Sequence, residues 1–371
     1  MNSAELFNFA GRCLALDENP DFCPEIRDKL SIEANSDDLI WLCSNHLVLP
    51  ALYLKFKKHG LLDVFPAEYT LQLKEIYEMN RDSNMKILQQ MDGISAMLAR
   101  EDITHVYLKG AGNLLGQVYE DAGERMIGDI DFLVREEDFE KATGILMASG
   151  YLSPWQAGHA AFLPPDHHHF PRLTKRNEPA TVEIHRIPVK AQFARRFTSE
   201  MIFSQAMPVA GKTHALVPSH KHRFIQNFIH SQLSNSGYRR FTPSLRDYYD
   251  GYLLSKKVIT REVLQTVEET AKVRVFYCLL ARTFHLQRTF TEDARVKRYI
   301  RRFDWWQQHP GAHHAYLRVN RLYFLIFGAY LLTAIKSVYS KPYRRFTWMR
   351  LKNPEWYKQH FRLRKKQLFM T

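Results

Sequence analysis

The chain has 371 residues, 45% hydrophobic and 25% charged, enough apolar content to bury a real core and too much for a disordered polymer. Lys and Arg number 52 against 39 Asp and Glu, a net charge of +13 that turns attention to anionic partners. Four cysteines, Cys13, Cys23, Cys43 and Cys278, show no CxxC spacing, which speaks against a structural zinc site or a disulfide framework and fits a reducing cytoplasm.

At ~100–200 residues per domain, the length suggests two or three domains. Residues 1–100 read as helical and acidic: ten Lys/Arg against fifteen Asp/Glu, a balance of −5 that leaves +18 for the remainder. The opening MNSAELFNFA lacks the basic start and apolar run of a secretory leader. Ile40, Leu42, Leu47, Leu49 and Leu52 recur at helical steps and predict a helix over 39–59, with Asp37 and Asp38 ahead of it as caps. Ile87, Leu88, Met91, Ile94 and Leu98, with mixed charges on the other side, predict a long amphipathic helix over 67–100.

The texture changes near residue 103. ITHVYLKG alternates β-branched and aromatic residues and ends at Gly110, as a strand entering a loop does. A short helix is expected over 112–121, a second strand over MIGDIDFLV (126–134), and a helix over 135–151 with acids in its first turn and Gly150 as its stop. Residues 160–187, including TVEIHRI, hold two or more further strands. Strands and helices in that order imply a mixed sheet with helices on it. From about 218 the pattern is helical again. Leu322 to Ile335 is a run of fourteen uncharged residues, too short to span a bilayer and read as a buried core helix more readily than as a membrane-surface segment. The last stretch, 339–371, carries ten basic residues against Glu355 alone, interleaved with Tyr339, Tyr343, Phe346, Trp348, Trp356, Tyr357 and Phe361. Such a surface suits phosphates and bases, or an anionic membrane, or is simply a solvated terminal helix.

The residues that carry chemistry lie in Gly128-Asp129-Ile130-Asp131-Phe132-Leu133-Val134. Side chains alternate along a strand, so Asp129 and Asp131 share one face while Ile130, Phe132 and Val134 bury the other. Two adjacent carboxylates repel, and a divalent cation is the usual compensation; Mg²⁺ takes one or two carboxylates plus substrate phosphates. The alternative is an exposed strand with two solvated acids. Thr181-Val182-Glu183-Ile184-His185 offers a third carboxylate in the same alternation, and three acids on adjacent strands suit a pair of metals. Leu108-Lys109-Gly110-Ala111-Gly112 ends a strand and enters a helix, where glycines let the backbone approach a phosphate. Asp166-His167-His168-His169 follows Pro164 and Pro165 and reads as a loop at the rim of a site rather than a metal centre.

LKGAG, then GDIDFLV, then VEIH resembles the nucleotidyltransferase superfamily that includes DNA polymerase β, and more closely a bacterial family of uncharacterised nucleotidyltransferases. The likeness covers about residues 103–255, with Gly150-Tyr151 and, more weakly, His230 and Arg246-Asp247. The resemblance implies a mixed-sheet nucleotidyltransferase core, expected over 101–215, and with the helical patterning on either side the chain is expected to be α+β, with an N-terminal helical region over 1–100 and a C-terminal helical domain with a basic tail over 216–371. It implies metal-dependent transfer of a nucleoside monophosphate from an NTP to an acceptor hydroxyl on a protein, an RNA or a small molecule or sugar, releasing pyrophosphate. Asp129, Asp131 and Glu183 would bind Mg²⁺ or Mn²⁺, with Glu183 helping to deprotonate the hydroxyl. Lys109, Gly110, Ala111, Gly112 and Arg125 would meet the nucleotide phosphates. His185, His230 and Arg246 would lie toward the acceptor. Many superfamily members have Gly-Ser or Gly-Gly in the loop where this chain has Gly110-Ala111, so a serine hydroxyl contact is missing. The competing reading is a non-catalytic protein on the same fold that docks an anionic partner or membrane through its basic C-terminal region.

Overall fold

The computed structural model describes residues 1–153, 164–268, 270–287 and 293–354, with Trp356 and Lys358. Part of the expected strand region 160–187 and most of the tail beyond 354, including Tyr357 and Phe361, lie outside the described residues.

Five short strands form one mixed sheet within a mostly helical chain: β1 (His105–Leu108), β2 (Asp129–Val134), β3 (Thr181–His185), β4 (Ala206–Pro208) and β5 (Leu216–Pro218), in the order β3-β2-β1-β5-β4. β2 is antiparallel to β1 and parallel to β3; β5 is parallel to β1 and antiparallel to β4. The chain is thus α+β with helical flanks, as the order of textures predicts.

Strand β2 shows why the sheet sits where it does. Ile130, Phe132 and Val134 are fully buried and meet Ile87, Met91, Ile94 and Leu98 of the helix Ala67–Ala99, so that helix buries its apolar stripe on one face of the sheet. Leu133 points the other way, with Val106 and Leu108, into a larger core shared by helices from Ser3–Leu14 to Ala294–Gln308. Asp129 and Asp131 therefore look toward the helices of the second half of the chain.

Two expectations fail. The run over 39–59 is two helices, Glu33–Asn45 and Leu49–Lys58. Leu47, at φ +56°, makes the corner, and Pro50 stands in the first turn of the second helix, where its missing N–H costs nothing. Asp37 and Asp38 consequently lie inside the first helix. In the segment 322–335 the expected burial is not found at Leu322, Phe327, Leu331 and Ile335, which each show 46–47% of their surface to solvent. Its helix is fastened to the rest of the chain through His313 and Tyr316, which bond the carbonyls of Arg240 and Arg239, and through Lys336, which bonds Asp166.

Strand β1 carries a buried titratable group. His105 bonds Ser95 Oγ at 3.0 Å, and burial pushes its pKa down to about 4. Between that value and the usual 6.5 the unfolded chain holds a proton that the folded chain refuses, so stability falls as pH drops through this window. His105→Gln is expected to flatten the loss of unfolding free energy between about pH 7 and about pH 4.5 by roughly 1–3 kcal/mol, read from urea unfolding. Parallel pH slopes for the two proteins would contradict this.

Candidate active site

The register of the parallel pair places Asp131 opposite Glu183 and Asp129 opposite Thr181. Two carboxylates from strands 52 residues apart in sequence thus stand side by side, with Asp129 next along β2. Asp131 is fully buried, Glu183 nearly so, and Asp129 about half-buried. One ligand atom each from Asp131, Glu183 and His185 lies within 4.8 Å of the others.

Cations compensate the acids. Lys109 leaves the end of β1, beside Asp131 in the β1–β2 register, at φ +51°, and its Nζ sits 2.5 Å from Asp131 Oδ1 and 3.8 Å from Glu183 Oε2. Arg172 donates to Glu183 Oε1 from Nε and Nη2, at 3.1 and 2.8 Å, and reaches Asp129 at 3.4 Å. His185 is wholly buried, and its Nε2 bonds Asp131 Oδ1 at 2.8 Å. Burial alone would raise the Asp131 pKa, but the Lys109 ammonium and the His185 hydrogen bond outweigh it and hold the carboxyl well below its usual range. Glu183 is lowered too, against burial, by His185, His169 and Lys109. Asp129 moves the other way: burial and the neighbouring Asp131 raise it. Burial works against the Lys109 charge, yet Asp131 and Glu183 raise its pKa. Asp131 and Glu183 are thus held ionised at neutral pH with the Lys109 ammonium against them.

A cleft opens over this group, lined by Lys109, Gly110, Asp129 and Asp131 from the sheet side and by His230, Arg246 and Asp247 from the helical side. The residues expected to meet a nucleotide fare differently within it. Lys109, Gly110 and Arg125 line the cleft. The helix begins at Lys109, earlier than expected, which turns Ala111 into the core. Gly112 lies against β1, where a Cβ would stand 2.4 Å from the Tyr107 carbonyl oxygen, so its role is close helix–strand packing. Arg125 is buried and clamped by Asp250, with Nε and Nη2 both 3.0 Å from its carboxylate oxygens. Of the acceptor-side candidates, His230 and Arg246 line the cleft, whereas His185 lies beneath Asp131 and supports it. His230 belongs to a π-type turn, Ile229–Ser234, and burial lowers its pKa. The histidine run borders the site: His169 Nε2 lies 3.7 Å from Glu183 Oε2.

Two cationic residues escaped the sequence reading. Arg172 comes from an irregular segment with no periodicity to mark it. Arg223, on the helix His220–Phe228, lines the cleft and is 3% exposed. Its Nη1 donates to the Gly116 carbonyl at 3.3 Å, while Nε and Nη2 have no partner among the described residues. A Cβ at position 116 would fall 2.3 Å from Arg223 Nη1, so the glycine makes room for the guanidinium. Burial pulls the Arg223 pKa down to about 10. A signal existed in HKHRFIQNF: an arginine between the apolar residues of an amphipathic helix.

A carboxylate pair on adjacent strands of the mixed sheet thus stands beside a cleft lined by Lys109, Arg125, Arg223 and Arg246 together with Asp129, Asp131, Asp247 and Asp250. The chain belongs to the family described as Uncharacterised nucleotidyltransferase, whose model matches residues 33–290. Among solved structures, the antibiotic-resistance factor ANT(2'')-Ia aligns at TM-score 0.35 and 12% identity, over 56% of this chain and 98% of that one. No curated protein matches. The donor atoms that come together are two carboxylates and an imidazole, from Asp131, Glu183 and His185, with Asp129 next along β2 outside that group; the carboxylate oxygens suit a hard divalent cation. Among the described residues no helix is long and apolar enough to cross a membrane.

Proposed function

We propose that this protein transfers a nucleoside monophosphate from an NTP to an acceptor hydroxyl, with Mg²⁺ or Mn²⁺ in the site. The supporting observation is the juxtaposition of Asp131 with Glu183 across the strand register, with Asp129 and Asp131 lining a cleft that also holds Lys109 and Arg223. Asp129, Asp131 and Glu183 would hold the cation, which when bound neutralises triphosphate charge. The hydroxyl oxygen attacks the α-phosphorus and forms a new P–O bond. The bond from that phosphorus to the oxygen bridging to the β-phosphate breaks, and pyrophosphate leaves with the electron pair. Glu183 is assigned the proton of the hydroxyl. Lys109, tied to Asp131, and Arg223, with two buried guanidinium nitrogens unpaired among the described residues, supply positive charge toward the departing phosphates. His185 keeps Asp131 oriented from below. The acceptor is a protein side chain, an RNA end or a small molecule or sugar.

Incubation of the purified chain with α- and γ-labelled NTPs, Mg²⁺ and a cell lysate tests the reading. Label is expected to reach the acceptor from the α position, and chelation should stop it. Transfer of the γ label instead would remove the proposal.

Arg223 supplies a sharper check. A buried charge without a partner costs stability, and a ligand phosphate would satisfy it. Arg223→Met is therefore expected to raise the melting temperature by a few degrees, on the order of 1 kcal/mol. The same change should weaken Mg²⁺–NTP binding roughly tenfold. A variant that melts lower and binds NTP normally would make Arg223 a structural residue.

A further inference from the structure

We propose that the C-terminal helices dock this protein in the plane of an anionic lipid surface. From the helix Pro310–Tyr323 through Phe324–Leu331 to Leu332–Tyr339 the chain is helical for thirty residues, and Val319, Tyr323, Phe327, Leu331, Ile335 and Tyr339 follow one another at steps of four. All six are exposed, from 46% at Phe327 to 86% at Tyr339. Steps of four keep them on one slowly winding face of the helix, the pattern that normally marks a buried stripe. The helix Lys341–Leu351 packs beside this one and adds Trp348, Met349 and Leu351, also exposed. An apolar surface of this extent marks an interaction site.

Charge identifies the occupant. Between residues 305 and 354 the sequence holds no Asp or Glu, and from 305 to 371 it holds thirteen Lys/Arg against Glu355 alone. Arg318, Lys341, Arg345 and Lys352 are exposed around the apolar face. A second copy would bring an equally cationic surface against this one, and a nucleic acid would leave the leucine and isoleucine side chains in contact with water or phosphate. A bilayer with anionic headgroups meets both demands: acyl chains take the aliphatic side chains, headgroups take the cations, and Tyr339 and Trp348 suit the boundary between them. Among the described residues no helix is both long and apolar enough to cross, and Arg318, Arg321 and Lys336 interrupt the apolar run of this one, so we place the helices in the surface. The inference does not rest on nucleotidyl transfer.

Flotation of the full chain with phosphatidylcholine vesicles, with and without about a third phosphatidylglycerol, tests it. Binding is expected to be roughly tenfold or more tighter to the anionic vesicles and to weaken as salt rises. Phe327→Glu with Leu331→Glu should abolish it while circular dichroism and melting stay unchanged. Lys341→Gln with Arg345→Gln should cut binding to anionic vesicles several-fold and leave the weak neutral binding alone. Three outcomes would overturn the proposal: equal binding to both vesicles, no vesicle binding alongside tight single-stranded RNA binding, or a dimer in gel filtration that the Glu variants split with no vesicle binding by either form.

Discussion

Asp131→Asn is expected to lower NTP turnover on the order of a thousandfold while the chain stays folded. Asp131 is the residue on which the site converges: Lys109 at 2.5 Å, His185 at 2.8 Å, and Glu183 across the strand register. The amide keeps an oxygen for Lys109 or His185, so the buried hydrogen bonds persist in part and the backbone has no reason to move. What disappears is the negative charge that would hold a divalent cation. Turnover with Mg²⁺ and Mn²⁺, beside circular dichroism and a melting curve, measures both halves. Asp129→Asn should also fail, although Asp129 is half-exposed and its loss disturbs fewer contacts. Full turnover in folded Asp131→Asn would leave the acids a structural role only.

The second large effect belongs to the far wall of the cleft. Asp250→Ala is expected to cost about 3–5 kcal/mol of unfolding free energy, because it strands the Arg125 guanidinium in the interior. Arg125 and Asp250 are both almost wholly buried, and Tyr119 adds a hydrogen bond to Asp250 Oδ1 at 2.9 Å. Replacing the pair together, Arg125→Met with Asp250→Leu, should recover much of that loss, since neither charge is then left alone. Urea unfolding of the three variants decides it. A stable Asp250→Ala protein with weakened NTP affinity would return Arg125 to the phosphate-neutralising role that the resemblance implies.

Local chemistry was readable from the residues. GDIDFLV shows its two faces by alternation alone, and Gly150, at φ +91°, ends its helix as expected. The alternation in TVEIH offers Glu183 as a third carboxylate, but its register beside Asp131 depends on burying Ile130, Phe132, Val182 and Ile184 together, a contact between distant segments that no local pattern encodes. The cations were harder to see. Arg172 follows Pro171 in an irregular stretch, and Arg223 resembles any helical arginine until Gly116 is found to yield space for it. Ala111 and Gly112 were misplaced because the helix starts at Lys109, and a shift of three residues turns a helix through most of a revolution. The run 322–335 shows that apolarity says a segment avoids water without saying which neighbour covers it.

Asp166 accepts bonds from Lys336 at 2.7 Å and from the Tyr343 hydroxyl, one on each of two C-terminal helices. Three residues later His169 stands against Glu183. Deleting the tail before Lys336 would therefore unfasten the loop beside the third carboxylate as well as remove the outer helices, and a shortened chain would lose activity for a reason unrelated to whatever the tail grips. Single changes on the outer face, such as Leu331→Glu, leave that fastening whole.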